Sequence, residues 1–64
     1  MIRNFAQGLL KELEREVKDK AAIIVEGRCK TLDEYKHACG VIQGLSYAAQ
    51  TTKSLLEKVE SEDE

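Results

Sequence analysis

The feature that most constrains the fold is a series of apolar or small residues that recur at spacings of three and four along the second half of the chain. Such spacing places every member on one stripe of an α-helix, and helices pack along such stripes into bundles or coiled coils. The members are Tyr35, Ala38, Ile42, Leu45, Ala49, Thr52, Leu56 and Val59. The sequence therefore predicts a long helix, over residues 32–59, that packs against another helix.

A first helix is predicted over residues 5–26. Asn4 can cap its start, because Gln7 lies three residues later and completes a pair of side chains like those of a capping box. Gly27 follows the last apolar residues, at the position where a left-handed residue commonly ends a helix. The apolar face of this helix consists of Ala6, Leu9, Leu10, Leu13, Val17, Ala21 and Ile24.

The second helix has a capping box at its start. The Thr31 hydroxyl can accept a hydrogen bond from the Glu34 amide, while the Glu34 carboxylate reaches back to Thr31. A connection of only about four residues places sequential helices side by side and antiparallel. We predict an all-α hairpin that forms one domain over residues 1–59, followed by an acidic tail at 60–64. The predicted core is Leu9, Leu10, Leu13, Val17, Ile24, Ile42, Leu45, Leu56 and Val59.

Size and charge limit what such a hairpin can do. A chain of 64 residues buries only about 60% of the surface that its unfolded form exposes, so we expect marginal stability alone and completion by self-association or by docking on a larger protein. Ten basic and twelve acidic residues are interspersed, which argues against nucleic acid as a partner. The longest apolar run, residues 21–25, is too short to cross a membrane. With no secretory signal apparent, we expect a cytosolic, reducing setting.

Gly40, Gly44 and Ala48 follow each other at spacings of four, next to the apolar stripe. A glycine inside a helix costs about 1 kcal/mol relative to alanine, so a compensating gain is expected. Small residues at this spacing allow another helix to approach closely. Three interpretations remain open: packing against the first helix of the same chain, a groove that receives another chain, or a kink at Gly40.

Tyrosine side chains often anchor protein interfaces, because they combine a large apolar ring with a polar hydroxyl. Tyr35 belongs to the apolar stripe, and Tyr47 lies about three turns further along the same helix. The sequence thus predicts a partner-binding set on the second helix, made of Tyr35, Gly40, Gly44, Leu45, Tyr47 and Ala48.

No catalytic, cofactor-binding or metal site is predicted. Cys29, His37 and Cys39 are the only soft metal ligands, and three donors at spacings of eight and two do not supply the four that a structural zinc site uses. A disulfide between the two cysteines is an alternative that the expected reducing setting disfavours. His37 and Cys39 differ by two positions, so they point to different faces of a helix and form a poor nucleophile pair.

Charged residues of the first helix are interpreted as a solvated face. Glu12 and Glu16 share one side of the helix, with Lys11, Arg15 and Lys18 placed among them as partners for surface ion pairs. Such carboxylates can bind Mg²⁺, and such a basic row can follow a phosphate backbone. Because the two signs are mixed, surface ion pairs are the favoured interpretation.

Two segments of the second helix, residues 31–35 and 40–45, resemble small proteins encoded among the structural genes of tailed bacteriophages. In these, a capped helix start with an acidic residue before tyrosine leads into Gly-x-Ile-x-Gly-Leu and then alanines. The resemblance covers residues 27–50. It implies a non-enzymatic virion component that is bound to capsid, portal or connector in many copies, with Tyr35, Gly40, Gly44 and Leu45 as contacts.

The function expected from the residues and this resemblance is therefore that of a structural or interaction protein of a phage particle, found in the virion and, during assembly, in the host cytoplasm. The alternative is a small regulator that dimerises into a four-helix bundle and binds RNA or inhibits a host protein. In length, two-helix layout and acidic tail, the chain is also similar to a small plasmid RNA-binding regulator with that architecture.

Overall fold

Two helices that lie side by side make up the computed structural model, which describes the backbone of residues 2–62 and the side chains of residues 2–61. Helix α1 spans Ile2–Val25, helix α2 spans Leu32–Glu62, and no strand occurs within the described part of the chain. The molecule measures 50 × 14 × 13 Å. Since 31 residues of helix are about 46 Å long at 1.5 Å per residue, the two helices must overlap along most of their length. The predicted all-α hairpin is confirmed.

Helix α1 begins at Ile2, so the prediction that Asn4 caps a helix starting at residue 5 is wrong. Asn4 lies inside the first turns of the helix. Extending the helix to Ile2 brings Ile2 and Phe5 into one apolar trough with Leu55 and Val59 of α2. A single cap contributes only about 1 kcal/mol, and α1 continues through Asn4 although Ile2 and Phe5 stay 71% and 73% exposed.

The other end of α1 follows the sequence signal closely. Gly27 has a φ of 72°, the left-handed conformation that glycine adopts without steric cost. The Arg28 amide donates to the Ile23 carbonyl and the Gly27 amide donates to the Ile24 carbonyl, both at 3.0 Å. These two bonds form a Schellman motif, which satisfies carbonyl groups left free at a helix end. The predicted stop at Gly27 is confirmed, with α1 ending at Val25.

Of the two hydrogen bonds predicted for the capping box at the start of α2, one is confirmed and the other has a different donor. The Glu34 amide donates to the Thr31 hydroxyl at 3.1 Å. The Glu34 carboxylate accepts from the Lys30 amide at 2.9 Å, rather than from the Thr31 amide. Glu34 therefore reaches one residue further back than expected and fixes the loop before the cap as well as the helix start.

Helix α2 continues three residues beyond the predicted end at Val59, through Glu62. The prediction of a tail from residue 60 is therefore wrong for residues 60–62, while residues 63 and 64 lie outside the described part. An unfavourable interaction between a surface carboxylate and the helix dipole costs only about 0.3–1 kcal/mol. Glu60 is half-buried, so its side chain still covers part of the hairpin.

The interface between the helices has almost no fully enclosed core. Leu56, 7% exposed, is the only buried hydrophobic residue among the described ones. Most other predicted core residues are half-buried. Leu9 is 42% exposed and Tyr35 of the predicted stripe is 46% exposed. Both were expected to pack between the helices, but two helices alone enclose only the centre of the seam and leave its flanks open.

Candidate interaction surface

The open end of the hairpin carries an apolar trough between the two helices, here called the open-end trough. Its lining is entirely apolar except for Thr52, whose hydroxyl donates to the Ala48 carbonyl at 2.8 Å. The exposed fractions are 71% for Ile2, 73% for Phe5 and 58% for Leu55. The complete lining is Ile2, Phe5, Ala6, Leu9, Thr52, Leu55, Leu56 and Val59. These side chains offer a partner an apolar surface with no polar group left to satisfy.

The opposite end, next to the loop, contains a larger open cavity of about 610 Å³, here called the loop-end groove. Its floor is formed by Ile23 of α1 with Ala38 and Val41 of α2. Charged residues surround the floor, and several are already engaged within the chain: Lys20 with Glu16, Arg28 with Glu26, and Glu34 with the Lys30 amide. The remaining lining residues are Cys29, Asp33 and His37. The groove therefore combines a small apolar floor with a charged and polar rim.

The two glycines of α2 face open space. A Cβ atom built on Gly40 or on Gly44 would meet nothing within 4 Å, so the interpretation that they allow close packing against the first helix is wrong. Helix α2 also runs without a break through Gly40. Neither glycine gains anything within the hairpin for its helix-interior cost, and the groove that receives another chain remains a prediction.

The predicted partner-binding residues do not form one patch. Gly40, Gly44 and Tyr47 follow each other at spacings of four and three, on one face of α2, and Tyr47 is 73% exposed. Ala48 is half-buried beside this face, and Leu45 is half-buried in the seam. Tyr35 lies on another side of the helix, next to Cys39.

Two features of the surface were missed by the sequence reasoning. The first is the open-end trough, whose signal is the spacing of three and four from Ile2 through Phe5 to Leu9. The second is an uncharged segment: residues 37–52 contain no Asp, Glu, Lys or Arg, although 34% of the chain is charged. These sixteen residues cover more than four helical turns, so even the faces pointing to solvent lack charge. Depletion of charge is typical of the centre of protein interfaces.

The two cysteines have different surroundings. Cys29 and Cys39 are both free and half-buried, so the alternative of a disulfide between them is not realised. A hydrogen bond with the Cys39 side chain raises the pKa of the Tyr35 hydroxyl above its usual value, with smaller contributions from the charge of Cys39, from burial and from Cys29. Cys39 therefore interacts with Tyr35, while His37 lines the loop-end groove.

The charged face of α1 forms two surface ion pairs, of which one was predicted. Arg15 contacts Glu12 at 3.0 Å, as expected. Glu16 contacts Lys20 at 3.0 Å, rather than one of the three predicted partners, because Lys20 lies one turn further along the same face. Within residues 2–62, no group of three or more His, Cys, Asp or Glu side chains is placed to hold a metal ion.

Comparison with protein-family models, with curated proteins and with solved structures gives no significant match for this chain. Neither helix, over the residues that the structure describes, is long and apolar enough to cross a membrane.

Proposed function

We propose that this protein is a non-enzymatic interaction module whose hydrophobic core is completed by another chain. The observation that carries the proposal is the single buried hydrophobic residue, Leu56, among the described residues. Full burial of a large apolar side chain contributes about 1.5 to 3 kcal/mol. Ile2, Phe5 and Leu55 are each more than half exposed, so the hairpin alone forgoes most of that contribution.

The total surface area supports the same conclusion. The chain exposes 5220 Å², whereas a compact monomer of 7.2 kDa exposes about 4,100 Å². Its radius of gyration is 14.8 Å, against about 11 Å for a compact domain of this length. The excess of about 1,100 Å² exceeds the share of about 800 Å² that each partner contributes to a standard protein interface.

The biological setting that we propose is a bacteriophage particle, where the protein docks on capsid, portal or head-tail connector. This part of the proposal is supported by the resemblance of residues 27–50 to small phage structural proteins. An apolar, uncharged docking surface suits a component present in many copies, because repeated weak contacts add avidity. The RNA-binding alternative has less support, since Arg15 of the basic row is paired with Glu12.

The proposal is tested by isolating the full chain, together with the proteins bound to it, from the cells in which it is made or from the particles that contain it. The experiment compares three forms: wild type, Leu55→Asp and Ser54→Asp. Leu55 lies in the open-end trough, while the neighbouring Ser54 is exposed and outside it. We expect a capsid, portal or connector protein to accompany the wild type and Ser54→Asp and to be lost with Leu55→Asp. A host polymerase or an RNA in its place would contradict the phage setting.

A further inference from the structure

We propose that the occupant of the exposed apolar side is a second copy of this chain, in a symmetric dimer in which the open-end trough of each copy packs into the loop-end groove of the other. This inference rests on the proposed function, because it names the chain that completes the core. The proposal specifies an orientation as well as a partner. The two hairpins lie antiparallel, so that the open end of each copy lies against the loop end of the other.

The trough and the groove lie on the same side of the hairpin. On each helix, spacings of three and four connect the residues at one end with those at the other, and such spacing keeps them on one stripe. On α1 the stripe consists of Phe5, Leu9, Glu12, Glu16, Lys20 and Ile23. On α2 it consists of Val41, Gly44, Ala48, Thr52, Leu55 and Val59. One flat partner can therefore contact both ends at once.

The two ends are complementary in shape. At the open end, Phe5 and Leu55 project into solvent, 73% and 58% exposed. At the loop end, Ile23, Ala38 and Val41 form the apolar floor of an open groove of about 610 Å³, and charged and polar side chains form its rim. A two-fold axis midway between these ends places the projecting side chains of each copy in the cavity of the other. Such a contact is isologous, since each surface meets its counterpart twice and the assembly closes at two chains.

The middle of the hairpin permits the close approach that this symmetry requires. The midpoint of the α2 stripe falls near Ala48, next to Gly44, where an added Cβ would meet nothing within 4 Å. Residues 37–52 carry no formal charge, so two copies of α2 can meet there without burying an ion. On α1 the middle of the same stripe is charged, but Glu12 is paired with Arg15 and Glu16 with Lys20, so the two copies meet there through carboxylates that are already neutralised within their own helix.

The area available matches a dimer of this size. Each copy exposes about 1,100 Å² more than a compact monomer of its mass, given a total of 5220 Å². A standard interface takes about 800 Å² from each partner. A second copy of the same chain therefore has enough surface to take up an excess of this size.

Cysteine cross-linking of the full chain tests both partner and orientation, because Cys29 already lines the loop-end groove. In a Cys39→Ser background, Phe5→Cys supplies a thiol at the open end. Within one chain, residues 5 and 29 lie about 30 Å apart along α1, whereas a disulfide needs Cα atoms within about 7 Å. With oxidised glutathione as oxidant, we expect a disulfide between residue 5 of one chain and Cys29 of the other. Asn4→Cys, on the other side of α1, is the matched control and is expected to cross-link far less.

The mass of the unmodified chain gives a second, independent readout by sedimentation or native mass spectrometry. A species of twice 7.2 kDa together with the 5-to-29 cross-link supports the proposal. A dimer that links residue 5 to residue 5 contradicts the exchanged ends, and an assembly larger than two contradicts the closed symmetry. A weakly helical monomer overturns the dimer while leaving the proposed function intact. A stable, fully helical monomer overturns both.

Discussion

At the scale of single residues, the glycines differ in whether their backbone conformation requires glycine. Gly27 holds a φ of 72° and ends α1. Gly8 lies inside α1 with nothing within 4 Å of an added Cβ. The same substitution should therefore have opposite effects at these two positions, because one backbone is left-handed and the other is helical.

We expect Gly27→Ala to lower the free energy of unfolding by about 1 to 2 kcal/mol, since a Cβ atom is strained in the left-handed region. Gly8→Ala, the matched control, should raise it by about 0.5 to 1 kcal/mol through helix propensity. Thermal melts of both variants at one protein concentration measure the difference. Equal effects with the same sign would contradict the roles assigned here.

Two adjacent leucines of α2 have different surroundings, so substituting them one at a time distinguishes an effect on folding from an effect on assembly. Leu56 is 7% exposed and Leu55 is 58% exposed. We expect Leu56→Ala to destabilise the hairpin by about 2 to 5 kcal/mol, the usual range for a leucine in a core. We expect Leu55→Ala to weaken association and to leave the helicity of concentrated protein unchanged. Circular dichroism and sedimentation on the same samples make the comparison, and loss of helicity in both variants would contradict it.

At the scale of helices, short local signals determine the end of α1 and the start of α2. The loop between α1 and α2 is fixed by Gly27 on one side and by Thr31 and Glu34 on the other. We expect Thr31→Ala to lower the free energy of unfolding by about 1 kcal/mol, the usual contribution of an N-cap.

Ser54→Ala is the control for this loss of a hydroxyl, because Ser54 is exposed inside α2 and alanine has the higher helix propensity. A urea titration of the two variants should show a lower midpoint for Thr31→Ala alone. An unchanged midpoint would mean that the Glu34 contact with the Lys30 amide, not the Thr31 hydroxyl, sets the start of α2.

The short range of these signals explains which elements could be predicted from the sequence. Gly27 and the Thr31 hydroxyl act through neighbours within about one turn, and both predictions are confirmed. The predicted stripe of α2 is buried or half-buried from Ala38 to Val59, but its first member, Tyr35, is 46% exposed. Asn4 carries a local signal too, but α1 continues through it to Ile2. A window of the sequence also gave both bounds imperfectly, since α1 begins three residues before its predicted start and α2 continues three residues past its predicted end.

The sequence also could not predict whether the glycine face of α2 points toward α1 or toward solvent. Spacing alone shows that Gly40 and Gly44 share a side of α2, but it does not show which side α1 covers. The position of α1 is set by the apolar seam around Leu45 and Leu56, and the glycines fall outside it. The partner-binding set could therefore be chosen only in part, with Tyr35 on a different side from Gly44 and Tyr47.

At the scale of the whole molecule, the protein resembles half of a helical bundle. Two long helices give a rod 50 Å long and 14 Å wide, with one buried hydrophobic residue among those described. Globular domains rely on burial to offset the loss of conformational entropy, and the balance is only a few kcal/mol even when a core is complete. A hairpin with its apolar side open is therefore expected to fold fully only against another chain.

The most direct test of this central claim is the helicity and thermal midpoint of the pure chain as the protein is diluted. For a chain that folds only as a dimer, a dilution of about a thousandfold removes about 4 kcal/mol of apparent stability per dimer. We predict that the midpoint falls with dilution and that helicity is lost as the 7.2 kDa monomer appears. A dilute monomer that keeps full helicity and an unchanged, cooperative melt would contradict the account.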